Sequence, residues 1–350
     1  MTSQVPLSIA LVLATPGTGW GGLETHTAEL AQALAGIGHQ VHVFAHRDYG
    51  PRFADRIRFH PTPFQWGRRN LLLRFNLQRA LHKLQPDVVH AQGSKAAGLV
   101  SVTCPASAVS LGSVHGTKSS HREFKRLGGV IGVSTDIAQS IDHPNTRLIY
   151  NGRSLPQPKS GNARSDHPIP DVEPFIIAVG RLEPVKQFDR LIRAWTQADV
   201  GGRLVILGEG GQRGNLEQLI SSLGVDNRIE MPGYESNILP WLLRATACVI
   251  SSSREGFPYI LIESLMAGCP VLSTPVSGVG EFLPPQAISA SSTPDDLAGL
   301  LKSSLSQPHR LKKSQHDCFE KARLELSLDG MVAKTEAFYQ DLLANRPAKL

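Results

Sequence analysis

At 350 residues, 41% of them hydrophobic, the chain is long enough to bury two cores of ordinary size, and two domains are expected. A formal net charge of +6 and a pI near 9.2 suit an anionic partner, whether a nucleotide, a phospholipid surface or a nucleic acid. Four cysteines without metal-ligand spacing, no aromatic-studded RNA-binding strand or bZIP-like helix, and no apolar run of bilayer length exclude a zinc finger, set nucleic acid aside and leave no transmembrane helix to expect.

The first apolar run, LSIALVLA (7–14), has no basic stretch before it and reads as a sheet strand, not a secretory signal, so a cytoplasmic protein is expected. TPGTGWGGLETH (15–26) follows and leads into a helical pattern over 24–37. Gly17, Gly19 and Gly22 fit Gly-x-Gly-x-x-Gly, and Asp48, just after a second strand over 39–46, lies roughly where a nicotinamide enzyme keeps its ribose-binding acid. An NAD(P)-dependent oxidoreductase is therefore one reading. Against it, Pro16 and Trp20 sit awkwardly in so tight a turn. Taken alone, the stretch establishes only a helix N-terminus that favours anions.

Strands are expected next at 57–63, 87–93, 107–116, 130–134 and 146–152, with a helix over 70–84, which is the alternation of a parallel, doubly wound sheet. Segment 64–84 combines Phe64, Trp66 and Phe75 with Arg68, Arg69, Arg74, Arg79 and Lys83. That mixture suits an anionic membrane surface, each nearby cation adding about 1 kcal/mol. It equally suits an ordinary helix with its apolar face in the core, and both readings stand. From 153 to 174 the periodicity gives way to proline, serine and charge, which marks a domain boundary.

A second alternating set has strands at 174–182, 202–210, 228–234, 247–253, 270–278 and 287–291, helices at 186–198, 212–223 and 258–267, and helix throughout the remainder from Thr293. The expected architecture is α/β: two Rossmann-like doubly wound parallel-sheet domains, 1–165 and 166–350, facing a central cleft. The last helix, about 328–345, is free to pack back on the N-terminal domain. Ligands bind beyond the carboxyl ends of parallel strands, so the cleft is the expected site.

GRLEPVK places Arg181 straight after a strand and Lys186 at the start of a helix, where a diphosphate would be held, although read alone both are ordinary surface charges. In EGFPYILIE, Glu255 lies in a loop and Glu263 inside a helix that Pro258 can begin. The rise from Pro258 to Glu263 is about 7 to 8 Å at roughly 1.5 Å per residue, of the order of a diphosphate's length. Two carboxylates so spaced can take hydroxyl hydrogen bonds at opposite ends of a nucleotide diphosphate sugar.

Together, GGLETH (21–26), VHG (114–116), YNGR (150–153), VGRLEPVK (179–186), GEG (208–210), EGFPYILIE (255–263) and AGCPVLSTPVSG (267–278) resemble the retaining glycosyltransferases of family 4, which have the GT-B architecture. The resemblance covers nearly the whole chain; it is strongest over 175–281 and weak over 49–95. It implies that Arg181, Lys186, Glu255 and His115 are catalytic, the two cations neutralising the donor diphosphate, Glu255 near the donor sugar's hydroxyls and His115 contacting that sugar. Glu263 is implied to hold the ribose. Gly21, Gly22, Gly180, Gly233, Tyr234, Gly256, Phe257 and Pro258 complete the implied donor site, and Glu24, His26 and Lys118 the acceptor side.

The donor is expected to be a UDP-sugar, with a GDP-sugar as the other option, and no cofactor is expected. No Asp-x-Asp triplet occurs, so no metal is expected either. The acceptor is expected to be a glycan or a lipid-linked glycan of bacterial cell-envelope polysaccharide or lipopolysaccharide synthesis. The protein would be cytoplasmic, peripheral on the inner face of the plasma membrane through 64–84, with no nucleic-acid partner. A sugar-nucleotide epimerase of the same architecture is the further alternative.

Overall fold

The computed structural model describes residues 5–117, 120–154, 165–169, 171 and 174–346. The chain divides into two compact units, Met1–Gly152 with Leu328–Leu350, and Arg153–Ser327.

The first unit holds seven parallel strands: β1 Ser8–Leu13, β2 Gln40–Ala45, β3 Arg58–Pro61, β4 Val88–Gln92, β5 Val109–Val114, β6 Gly129–Gly132 and β7 Thr146–Leu148. Their order across the sheet is β3-β2-β1-β4-β5-β6-β7. Helices cover both faces, which is why the central strands are apolar without alternation: every residue from Ile9 to Leu13 is fully buried. The helices are α1 Gly22–Gly36, α2 Leu71–Leu84, α3 Gly93–Thr103 and α4 Thr135–Ser140. The last two are not legible as separate elements in the sequence. α3 opens without a side-chain cap, and α4 is only six residues long, started by Ser134 Oγ accepting the Ile137 amide.

The second unit holds β8 Phe175–Val179, β9 Arg203–Leu207, β10 Ile229–Gly233, β11 Ala247–Ile250 and β12 Val271–Ser273, all parallel in the order β10-β9-β8-β11-β12. Its helices are α5 Phe188–Ala198, α6 Arg213–Ser222, α7 Leu239–Arg244, α8 Tyr259–Met266, α9 Pro294–Leu305, α10 Pro308–Ser314 and α11 His316–Glu325. α5 buries Phe188, Leu191, Ile192 and Trp195 along one stripe and packs on α9.

The strand expected at 287–291 does not form. It contributes one bridge, Ile288 to Ser273, after which the hydroxyls of Ser289 and Ser291 turn to Ser291 O and Asp296 at the start of α9. Polar side chains that bond their own backbone neighbourhood compete with a ladder.

The final helix, α12 Leu328–Ala344, belongs to the first unit, where it packs on α1 and β5 and buries Met331, Val332, Phe338 and Tyr339. The division between units falls at Gly152 and Arg153, earlier than the expected 165. Arg153 goes with the second unit because its amide donates to Leu326 O at 2.9 Å and its backbone bridges Ser327. Among the described residues no helix is long and apolar enough to cross a membrane.

Candidate functional site

In the second sheet the strand order reverses between β8 and β11, and the loops leaving their carboxyl ends carry GRLEPVK and SSSREGFP. Such a reversal opens a crevice that backbone cannot fill, the usual place for a ligand in an open parallel sheet. The two loops are tied together. Ser253 N donates to Val185 O at 2.9 Å, and Ser251 Oγ to Lys186 O at 2.7 Å. Lys186 Nζ then meets Glu255 Oε1 at 2.6 Å, and the same oxygen accepts from Ser252 Oγ at 2.7 Å. The side chains of Lys186 and Glu255 are 23% and 17% exposed, so the pair is partly desolvated yet reachable. Arg181 extends from the first loop into solvent.

The floor beside this pair is backbone. At Gly208, with φ +149°, a Cβ would fall 1.9 Å from Gly180 O, so the GEG loop and the GRL loop touch main chain to main chain. Gly208 N also donates to Gly233 O at 2.7 Å, bringing the end of β10 alongside. Tyr234 next to it is 65% exposed, and its carbonyl accepts from His167 Nε2 at 3.1 Å.

Glu263 lies in α8 and is buried, 8% exposed. Arg153 donates to its Oε1, and the Arg153 guanidinium lies 5.5 Å from the Tyr259 ring centroid. Burial raises the Glu263 carboxyl above the usual range, and the Arg153 charge pulls it back. Pro258 precedes α8 as its cap, one position before the first helical residue. The Phe257 ring is core, packed 5.7 Å from Phe282, so this position offers a ligand only its backbone.

In the first unit the glycine-rich loop is closed by packing. A Cβ on Gly17, where φ is +85°, would lie 2.1 Å from His46 Nδ1. Tyr49 OH donates to Gly19 O at 2.8 Å, and Trp20 packs edge-on against Tyr49 at 5.4 Å with Arg52 over its ring. Trp20, which fits a dinucleotide turn poorly, is what pins the loop. Gly21 caps α1, its amide donating to Glu24 Oε2 at 2.9 Å. Glu24 therefore spends part of its carboxylate on the helix N-terminus. Asp48 sits beside His46 and Arg47, at 3.4 Å and 3.5 Å.

His26 and His115 meet behind that loop, ring centroids 4.5 Å apart. His115 Nε2 donates to Gln92 Oε1 at 2.9 Å, which leaves Nδ1 as its acceptor. His90 bridges Tyr339 OH and Ser113 Oγ, each at 2.7 Å. Burial holds all three imidazoles neutral: His26 titrates at about 4, His90 at about 3, and His115 well below its ordinary value. Lys118 lies outside the described residues.

The structure thus brings Lys186 to Glu255, His26 to His115 and Glu24 to Gly21. Glu263 it gives to Arg153, a residue present in the YNGR motif but assigned no role from sequence. Ser252, Gln92 and His90 were likewise missed, since a lone serine, glutamine or histidine carries no spacing signal. Among the described residues no cluster of three or more His, Cys, Asp or Glu is arranged to hold a metal ion.

A family model described as Glycosyl transferases group 1 matches residues 160–325, and one described as Glycosyltransferase Family 4 matches residues 20–155. Lipopolysaccharide core biosynthesis glycosyltransferase LpsD of Rhizobium meliloti is 27% identical over 213 residues, 59% of this chain and 60% of that protein. The N-acetylgalactosamine-N,N'-diacetylbacillosaminyl-diphospho-undecaprenol 4-alpha-N-acetylgalactosaminyltransferase of Campylobacter jejuni is 33% identical over 135 residues, 39% of this chain and 36% of that one. The matched stretches span about a third to three fifths of these relatives' lengths. Among solved structures, HepE of Anabaena in complex with UDP superposes with a TM-score of 0.77 at 15% identity, covering 96% of this chain and 100% of that one. Sucrose-phosphate synthase of Thermosynechococcus elongatus superposes with a TM-score of 0.80 at 18% identity, covering 96% and 99%.

Proposed function

The chain belongs to glycosyltransferase family 4, with the GT-B fold, and on that premise we propose that it moves a sugar from a UDP-sugar to a glycan or lipid-linked acceptor, retaining the anomeric configuration and using no metal or cofactor. The observation that carries the reading is the Lys186–Glu255 pair at the strand-order reversal, with Arg181 exposed on the same loop as Lys186. Breaking the bond between sugar and diphosphate leaves negative charge on the diphosphate, and fixed cations stabilise it most as it develops. Lys186 and Arg181 supply those cations. Glu255, held by Ser252 and Lys186, accepts from the donor sugar's hydroxyls, and Glu263 from the ribose. The proton of the acceptor hydroxyl passes to the departing diphosphate, so no protein nucleophile is assigned.

UDP as the leaving group is supported by the Anabaena neighbour, which was crystallised with UDP and with UDP-glucose. An envelope-type acceptor is supported by the names of the Rhizobium and Campylobacter relatives, which refer to lipopolysaccharide core and to a diphospho-undecaprenol glycan. On the first unit, a hollow of about 300 Å³ at the ends of β2 and β3 is lined by His46, Arg47, Thr62 and Gln65 among others, side chains that can hydrogen-bond sugar hydroxyls.

The exposures along segment 64–84 support both of the uses its composition allows. α2 buries Leu73, Leu77 and Leu81 while Leu71, Leu72 and Phe75 are 77%, 64% and 60% exposed, with Trp66 at 38%. Arg68 is engaged by Glu123 at 2.6 Å, whereas Arg69, Arg79 and Lys83 are exposed. Exposed apolar residues ringed by cations fit the surface of an anionic bilayer.

Thermal shifts with UDP, GDP and NADH, followed by a screen of UDP-sugars for slow hydrolysis, test the proposal. Stabilisation by UDP and release of an α-configured sugar are expected. Stabilisation by NADH or by GDP alone would overturn the donor assignment, and conversion of the donor sugar without transfer would make the protein an epimerase.

A further inference from the structure

We infer that Arg153 is the positioning residue for Glu263, holding its carboxylate in place as acceptor for the ribose hydroxyls of the nucleotide; this rests on the reading that Glu263 binds that ribose. Arg153 is fixed at both ends. Its amide donates to Leu326 O at 2.9 Å and its backbone bridges Ser327, which anchors the main chain. Its guanidinium lies over Tyr259 and donates to Glu263 Oε1. Tyr259 and Glu263 are four residues apart in α8, one turn, so both attachments fall on one face of the helix.

The geometry leaves the carboxylate usable. A carboxylate has about four acceptor sites. Arg153 occupies Oε1, and Oε2 remains for a diol.

The chemistry requires the cation. Glu263 is buried, and an uncompensated buried carboxylate takes up a proton near neutrality and ceases to be a pure acceptor. Cys248 on β11 also interacts with it, but burial pushes that thiol up to about 12, so it is neutral at working pH and cannot replace the guanidinium. The arginine stands after Asn-Gly in YNGR, where no spacing rule marks it as part of a nucleotide site.

The test is UDP affinity by calorimetry for wild type, Arg153→Lys, Arg153→Met and Glu263→Gln between pH 7 and 8.5, each variant's affinity divided by that of wild type at the same pH to remove the ligand's own titration. Thermal melts check that every variant is folded. Arg153→Met is expected to bind UDP at least tenfold more weakly at pH 7 and to recover toward wild type as the pH rises and Glu263 ionises. Arg153→Lys should restore most of the affinity at pH 7. Wild-type binding by Arg153→Met, or a loss that neither pH nor lysine repairs, would overturn the positioning role. Glu263→Gln is expected to bind weakly at every pH; if it binds UDP as wild type does, the ribose reading itself falls, and the proposal with it.

Discussion

Lys186 Nζ and Glu255 Oε1 lie 2.6 Å apart, one on each of the two loops that leave β8 and β11 where the strand order reverses. Glu255 keeps its Ser252 hydrogen bond whatever stands at 186. Replacing Lys186 with Ala therefore removes a cation with little strain, since an ion pair of this exposure is worth about 1 kcal/mol or less after screening. Turnover should fall about 100-fold or more, the usual cost of losing one preorganised charge-stabilising donor, while the melting temperature moves by a few degrees at most. Turnover at the wild-type level in a UDP-release assay would displace the diphosphate from this loop.

Glu255→Gln keeps the shape and the Ser252 contact but takes a negative charge away from the place assigned to the diphosphate. UDP should bind more tightly, because Lys186 is no longer partly neutralised. Transfer from a UDP-sugar should slow at least tenfold, because the sugar loses a charged acceptor. Calorimetry with UDP alone and steady-state kinetics with the full donor separate the two effects. Parallel losses of both would mean that the carboxylate serves loop structure and not the sugar.

Stability should fall on acidification, with the sign set by the buried histidines. In the unfolded chain His26, His90 and His115 take up protons near pH 6.5. In the folded chain His26 holds out to about 4 and His90 to about 3, because burial disfavours the charged ring. Between those limits the unfolded state binds more protons, so stability drops as the pH falls from about 6.5 toward 4. His26 alone contributes on the order of 3 kcal/mol over that window. A fall in Tm of about 10 °C or more between pH 7 and pH 5 is expected, and a flat Tm over that interval would contradict the buried neutral cluster.

Leu71→Ser, Leu72→Ser and Phe75→Ser together remove the exposed apolar face of α2 without touching its buried Leu73, Leu77 and Leu81. Sedimentation with vesicles containing phosphatidylglycerol should pull down wild type and lose the triple variant, and phosphatidylcholine vesicles should retain neither. Equal partition of both proteins would assign these residues to another contact.

Arg47, exposed and 3.5 Å from Asp48, borders the hollow at the ends of β2 and β3. Arg47→Ala should raise the KM for a glycan acceptor several-fold and leave UDP affinity unchanged. A change in UDP affinity instead would move the donor toward the first unit's loop.

The order of strands and helices was legible in the sequence wherever a buried parallel strand had to be apolar throughout, as in Ile9 to Leu13, or a helix had to carry one apolar stripe, as in Phe188 to Ala198. These are local consequences of burying one chain segment, and period and composition record them. What the sequence by itself determined, then, was the doubly wound fold and the loops that carry charge. It did not determine which charges meet. Lys186 and Glu255 are 69 positions apart, Arg153 and Glu263 are 110, and His90 and Tyr339 are 249. A hydrogen bond between such positions depends on strand order, loop closure and the return of α12 to the first sheet, and no local pattern encodes those. The same holds for Gly17, whose spacing suggests a phosphate cradle until the packed ring of His46 shows what its missing side chain makes room for.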